Sequence, residues 1–232
     1  MVGPYFLFVN SRPIPESGTD DALWEKWYVT EHLPDLISSG TATRGTFYRE
    51  TYDFPGAPKE KNPRNFLAVY HTEFEESLET KNFKEKTRPG SDLFPNKFHI
   101  LENGDFDVRN YKLLVDYDPK KIGEVPPPFM VTVEMETDDE EGLNKWYEEE
   151  HLELLSKLPG YRRSARYTLG PVSVLSTTKA SKYLAIHELD NLKGLGSKEA
   201  ETANTTPQSI KHITTSKVFI ARAWELVHSE GF

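Results

Sequence analysis

At 232 residues, with 37% hydrophobic and 28% charged residues, the chain is long enough for one large domain or two ordinary ones and has the composition of a soluble globular protein. A net charge of −9 without a Lys/Arg run argues against nucleic acid or an anionic membrane as partner, and zero cysteines exclude disulfides, a thiolate nucleophile and cysteine-ligated metal centres. No apolar run of about 18 residues is present to span a bilayer, and the start Met1-Val2-Gly3-Pro4-Tyr5 lacks the pattern of a secretory signal, so no membrane partner and a cytoplasmic location are expected.

In chain order, residues 5–9 form an apolar, β-favouring run and read as a first strand. Thr19-Asp20-Asp21 is a helix-start signal, and the helix that follows carries Trp24, Trp27, Tyr28, Glu31 and His32 on or beside one broad face. Pro34 and the cluster Ser38-Ser39-Gly40 are expected to end it. A second strand over 43–52, a polar, Pro-rich loop over 54–64, a third strand over 66–72, a charged helical stretch over 75–86 and a closing strand over 108–117 follow.

Residues 118–128, ending in three prolines, read as an extended linker, and then the pattern starts again. A strand over 129–133 leads to Thr137-Asp138-Asp139, where Thr137 and Glu140 have capping-box spacing. Trp146-Tyr147-Glu148-Glu149-Glu150-His151-Leu152 repeats Trp27-Tyr28-Val29-Thr30-Glu31-His32-Leu33 at an offset of 119 residues, which also aligns Arg44 with Arg163 and Tyr48 with Tyr167. Strands over 161–169 and 183–189, a helical stretch over 192–203 and a closing strand over 218–227 complete it.

The order βαββαβ, twice, implies an α+β fold of tandem ferredoxin-like repeats, residues 1–117 and 129–232, each with one bare sheet face. Burying those faces against each other gives an intramolecular α/β barrel of the dimeric type. No partner is then needed to close it, although a homodimer through other surfaces stays open.

The two Trp-Tyr-x-x-Glu-His-Leu motifs, with Pro34 after the first, and the strand Tyr183-Leu184-Ala185-Ile186-His187-Glu188-Leu189 resemble the dimeric α/β-barrel superfamily, and within it the tandem EthD-like proteins of fungi. The second motif departs from the pattern by placing Glu153 where the first has Pro34. The resemblance implies a cavity between sheet and helices in each half, holding a small hydrophobic, aromatic or polyketide-like molecule. Polyketide cyclases, isomerases, cofactor-independent monooxygenases and haem-handling enzymes share this superfamily, so the fold chooses no reaction.

His32 and His151 are the leading catalytic candidates, because imidazole exchanges a proton near neutral pH. Tyr28, one turn before His32, and Tyr147 before His151 share their faces. Tyr70 aligns with His187 on the third strands, beside His71 and Glu188, and strand alternation allows only one of each neighbouring pair to face a given cavity. The structural alternative for each motif histidine is a helix-end cap or a bond to a backbone carbonyl. Arg44, Arg163 and Arg166 have the chemistry to orient an anionic or phenolate oxygen, yet such arginines more often cover a sheet edge and are not counted among the candidates.

The departure at Glu153 and the acidic run Glu148-Glu149-Glu150, expected to favour the imidazolium at His151, rank His32 first; the 54–64 loop offers that site a lid. No metal-ligand spacing, nucleotide loop or nucleophile elbow occurs, so neither a metal nor another cofactor is expected. The enzyme reading is proton transfer by His and Tyr, in a cyclisation, isomerisation, dehydration or decarboxylation. Its rival is a non-catalytic ligand-binding or stress-associated module. Haem or oxygen chemistry needs an axial or oxygen-handling group that the sequence does not single out.

Overall fold

The computed structural model describes residues 3–232; Met1 and Val2, the first residues of the start read above, lie outside the described set. Strand β1 (Tyr5–Pro13) leads to α1 (Asp21–Trp27), a wide turn at Tyr28–His32, and α2 (Leu33–Ser38). Strands β2 (Arg44–Glu50) and β3 (Phe66–Thr72), short helices α3 (Lys81–Lys86) and α4 (Ile100–Asn103), and β4 (Gly104–Tyr117) complete the first half. The second half runs β5 (Phe129–Glu136), α5 (Glu140–Trp146), a wide turn at Tyr147–His151, α6 (Leu152–Leu155), β6 (Tyr161–Val172), β7 (Tyr183–Leu189), α7 (Lys198–Thr205), α8 (Pro207–Thr215) and β8 (Val218–Glu230).

The eight strands close into one antiparallel barrel in the order β1-β3-β2-β8-β5-β7-β6-β4. Each half supplies four consecutive positions, and the β2–β8 and β4–β6 pairings join them, so no strand of the barrel keeps a free edge. β3 and β7 are buried on both faces, which is why they read as almost continuous apolar runs, whereas the ends of β4, β6 and β8 are exposed. On β3, Phe66, Ala68 and Tyr70 meet the helices while Leu67 and Val69 point into the barrel. The barrel interior is filled by Phe6, Phe8, Tyr48, Tyr167 and Trp224, with Phe6 stacked on Tyr167 at 4.7 Å.

Several local expectations need correction. Pro34 does not end the first helix but sits in the first turn of α2. The turn before it has i→i+5 hydrogen bonds, Leu33 N–H to the Tyr28 carbonyl, and this shift of the ladder removes the usual clash of a proline ring with the carbonyl four residues back. The same wide turn occurs at Tyr147–His151 with Glu153 in place of the proline, so the proline is not its cause. The first helix stops instead at Gly40, whose φ of +75° suits glycine.

The caps are Asp20 and Asp139, which accept from Leu23 N and Gly142 N, so Thr137 with Glu140 forms no capping box; Thr137 instead accepts from Asp139 N. The 75–86 stretch is helical only over 81–86 after a short 3₁₀ turn, whereas 192–203 extends to two helices ending at Thr215.

Candidate functional site

Each half has a cavity between the sheet and its helices: His32 and Tyr70 line the first, Trp146, Tyr147, His151 and His187 the second, while Tyr28 is buried in the core against the His32 ring. The wide turns bring Trp, Tyr and His of each motif onto the sheet-facing side: Tyr28 and His32 meet edge to face at 5.2 Å, Tyr147 and His151 at 5.3 Å. Trp27 stacks on His32 at 4.5 Å, and Trp146 on His151 at 4.2 Å. On the third strands Tyr70 and His187 face the helices, while His71 and Glu188 face a small space of about 30 Å³ at one end of the barrel, with Arg44 and Arg163. There Arg44 pairs with Glu124 of the linker, and Arg163 with Asp116 at 2.5 Å.

The first-half cavity, about 250 Å³, is walled by Leu7, Val9, Phe106 and Val108 and contains the His32 ring and Tyr70. Among the described residues the buried Tyr70 hydroxyl has no hydrogen-bond partner, and Tyr28 makes none of ordinary geometry although Ser11 lies beside it. Gly45 pairs with Tyr70 across the sheet, and a Cβ there would lie 2.9 Å from the Tyr70 ring. The His32 ring is held by its stack on Trp27 and its edge contact with Tyr28.

The second-half cavity, about 320 Å³, contains Tyr147, His151, Tyr161 and His187. At the position matching Gly45 stands Ser164, opposite His187. Tyr161 donates to Ser164 Oγ at 2.9 Å, and Ser164 Oγ lies 2.8 Å from His187 Nδ1. Ser164 Oγ has one proton to give and two acceptor positions, one of them taken by Tyr161; where the serine gives its proton to Nδ1, His187 carries its own on Nε2.

His151 has the opposite tautomer. Its Nδ1 lies 3.1 Å from the carbonyl of Ala203, which can only accept, so Nδ1 holds the proton and Nε2 a lone pair. The Ala203 carbonyl belongs to the last turn of α7, where carbonyls lack helical partners and the helix end is partially negative. Ser209 Oγ donates to the same carbonyl at 2.6 Å and accepts from Trp146 Nε1 at 3.1 Å, which locks the stacked pair. The carbonyl alternative for a motif histidine is therefore realised at His151, but through one nitrogen only.

Burial governs the titrating groups here. It holds His32 at about 4 and His187 at about 4, and His151 and His71 at about 3. The expectation that Glu148-Glu149-Glu150 would favour the His151 imidazolium is thus reversed: Glu148 and Glu149 are exposed on the far side of the turn, while the ring is 5% exposed. Burial also raises Tyr147 to about 12 and, in the barrel, Glu188 to about 7.

An acid instability follows. Between pH 6.5 and about 4 the unfolded chain binds imidazole protons that His32, His71, His151 and His187 refuse, and the lowered His212 acts in the same direction, so stability falls as pH falls. Glu188, protonated in the fold up to about pH 7, works the other way but is one group against five. The urea midpoint is expected to be lower at pH 5 than at pH 7; an equal or higher midpoint contradicts this balance.

The 54–64 loop does not cover the first-half site: Phe54 and Pro55 reach across and line the second-half cavity, and Leu175 of the second half lines the first. Sequence reasoning missed Ser164, Tyr161 and the Ala203 carbonyl. The offset of 119 places Ser164 against Gly45, a substitution of a hydroxyl for nothing that was readable, whereas a backbone carbonyl leaves no mark in the sequence.

No family model matches the chain. It is 25% identical over 205 residues to core atranone cluster (CAC) protein 1 of Stachybotrys chlorohalonatus, covering 82% of this chain and 83% of that protein. Among solved structures, an anthrone oxidase-like protein superposes with a TM-score of 0.52 at 14% identity, over 97% of this chain and 92% of the other. A chlorite dismutase variant from Candidatus Nitrospira defluvii gives 0.54 at 10% identity, over 98% and 92%. At these identities the structural likenesses carry the α/β-barrel fold alone. Among the described residues no helix is long and apolar enough to cross a membrane.

Proposed function

We propose that the chain is a cytoplasmic, cofactor-independent enzyme of the lyase or isomerase type, moving a proton on a small aromatic or polyketide-like substrate in its second-half cavity. The observation that carries this reading is two buried imidazoles in one cavity: a lone pair on His151 Nε2, set by the Ala203 carbonyl, and His187, whose proton stands on Nε2 when Ser164 donates to its Nδ1. His151 takes a proton from the carbon beside a carbonyl and His187 donates to the carbonyl oxygen; the resulting enol returns its hydroxyl proton to His187 and either takes the His151 proton at another carbon or expels a β leaving group that takes that proton. Ser164 and Tyr161 act as positioning residues. His32 and Tyr70, with Tyr28 packed against the imidazole, form the first-half site, where among the described residues no side-chain hydrogen bond fixes the His32 ring, and it is ranked second.

The duplicated motif and the repeated strand order support two EthD-like, ferredoxin-like modules, 1–117 and 129–232, joined by the 118–128 linker. The likeness to a cluster-encoded fungal protein supports a role in secondary metabolism.

The test is deuterium exchange from D₂O into the activated carbon of an aromatic β-dicarbonyl compound. Catalysed exchange, reduced in Ser164→Ala with little change in KM, is expected. Binding without exchange favours the rival ligand-binding module. A visible absorption band in the purified protein that is lost in His151→Ala makes His151 an axial ligand and overturns the proton-transfer reading.

A further inference from the structure

The barrel carries several buried arginines, and their surroundings differ in one respect. Arg109 pairs with Asp107 at 2.7 Å and Glu134 at 2.5 Å, Arg222 with Glu50 at 2.6 Å, and Arg163 with Asp116 at 2.5 Å. Arg166 on β6 is as buried as any of them, 1% exposed, yet among the described residues no carboxylate lies within ion-pair distance of it. Its Nη2 donates to Asn144 Oδ1 at 2.9 Å, its Nη1 has no partner, and its guanidinium stacks over the Tyr147 ring at 4.1 Å. The nearest acidic influence is that of Glu148, an exposed residue.

A buried, uncompensated cation is expensive, and folds normally pair or remove it. The first half shows that this position does not require one. There the residue at the matching place is Phe47, stacked on Tyr28 at 4.0 Å, as Arg166 is on Tyr147. An apolar ring therefore serves the packing, and the charge at Arg166 is in excess of it. Arg166 does not itself line the second-half cavity, but the Tyr147 ring beneath it does, and the field of Arg166 reaches the two histidines there; the arginine that lines the cavity, Arg222, is already paired with Glu50.

We propose that the second-half cavity takes an anionic ligand, a carboxylate, phenolate or preformed enolate on an aromatic frame, and that Arg166 is the residue selecting for it. The first-half cavity, with Phe47 in its place, selects neutral apolar molecules. This rests on the reading of the second-half cavity as the ligand site.

Two probes of the same outline test the idea by calorimetry at pH 7.5: 2-naphthoate, an anion, and 2-acetylnaphthalene, neutral. The native protein is expected to bind naphthoate at least tenfold more tightly than the ketone. Arg166→Phe, which copies the first half, should lose that preference while keeping its affinity for the ketone, and Arg166→Lys should retain it. Arg166→Met provides the same reading if the phenylalanine variant does not fold. Equal affinities in the native protein, or a preference that survives Arg166→Phe or Arg166→Met, overturn the role of Arg166 and leave the cavity reading standing. Failure of both probes to bind overturns the cavity reading itself.

Discussion

His151→Gln is expected to lower the rate of proton exchange by about 10²-fold or more, the usual scale for losing a general base, while His32→Gln stays within a few-fold of the native rate. Glutamine keeps an N–H for the Ala203 carbonyl and fills most of the ring's volume, so the stack on Trp146 loses little support. What it removes is the lone pair on Nε2. Thermal melts separate this from damage to the fold, because a destabilised variant melts early whereas a chemically disabled one does not. Native activity in a folded His151→Gln protein, or a larger loss in His32→Gln, would return the assignment to the first half.

The largest expected loss of stability is at Trp224→Ala. Trp224 is fully buried inside the barrel; its Nε1 donates to Thr132 Oγ1 at 2.9 Å and Arg222 lies over its ring at 4.2 Å. Removing it leaves a cavity among side chains from both halves, at a cost of about 3–5 kcal/mol for a buried tryptophan. It also strips Thr132 of its donor and Arg222 of its ring. For a chain of this length that corresponds to a fall in Tm of roughly 10 °C. A change of only one or two degrees would mean that the interior collapses around the gap and that Trp224 is not a keystone of the barrel.

The strands were legible because burial on both faces writes β-rich apolar runs such as Phe66–Thr72 and Tyr183–Leu189, whose limits agree with the coordinates. The helical connection over 75–103 was poorly legible, since its short pieces are set by caps at Thr80 and by contacts with the rest of the half rather than by a long apolar stripe. Alternation separated Tyr70 from His71 and His187 from Glu188 without any structure, though not which member faced the helices. The ranking of His32 above His151 rested on Glu153, the acidic run and the 54–64 loop. The acidic premise fails because charge one to three residues away along the chain counts for little when the side chains of Glu148 and Glu149 are exposed and the imidazole is buried. Which nitrogen of each ring carries a proton was out of reach, since the deciding groups, the Ala203 carbonyl and the Ser164 hydroxyl, come from 52 and 23 residues away.

The exchange of loops between the halves ties their two chambers together. Because Phe54 and Pro55 roof the cavity of the other half and Leu175 returns the favour, a change in either loop is felt in the neighbour's chamber. The strands behind the chambers carry no such tie, and there one half holds Ser164, Arg166 and His187 where the other holds Gly45, Phe47 and Tyr70.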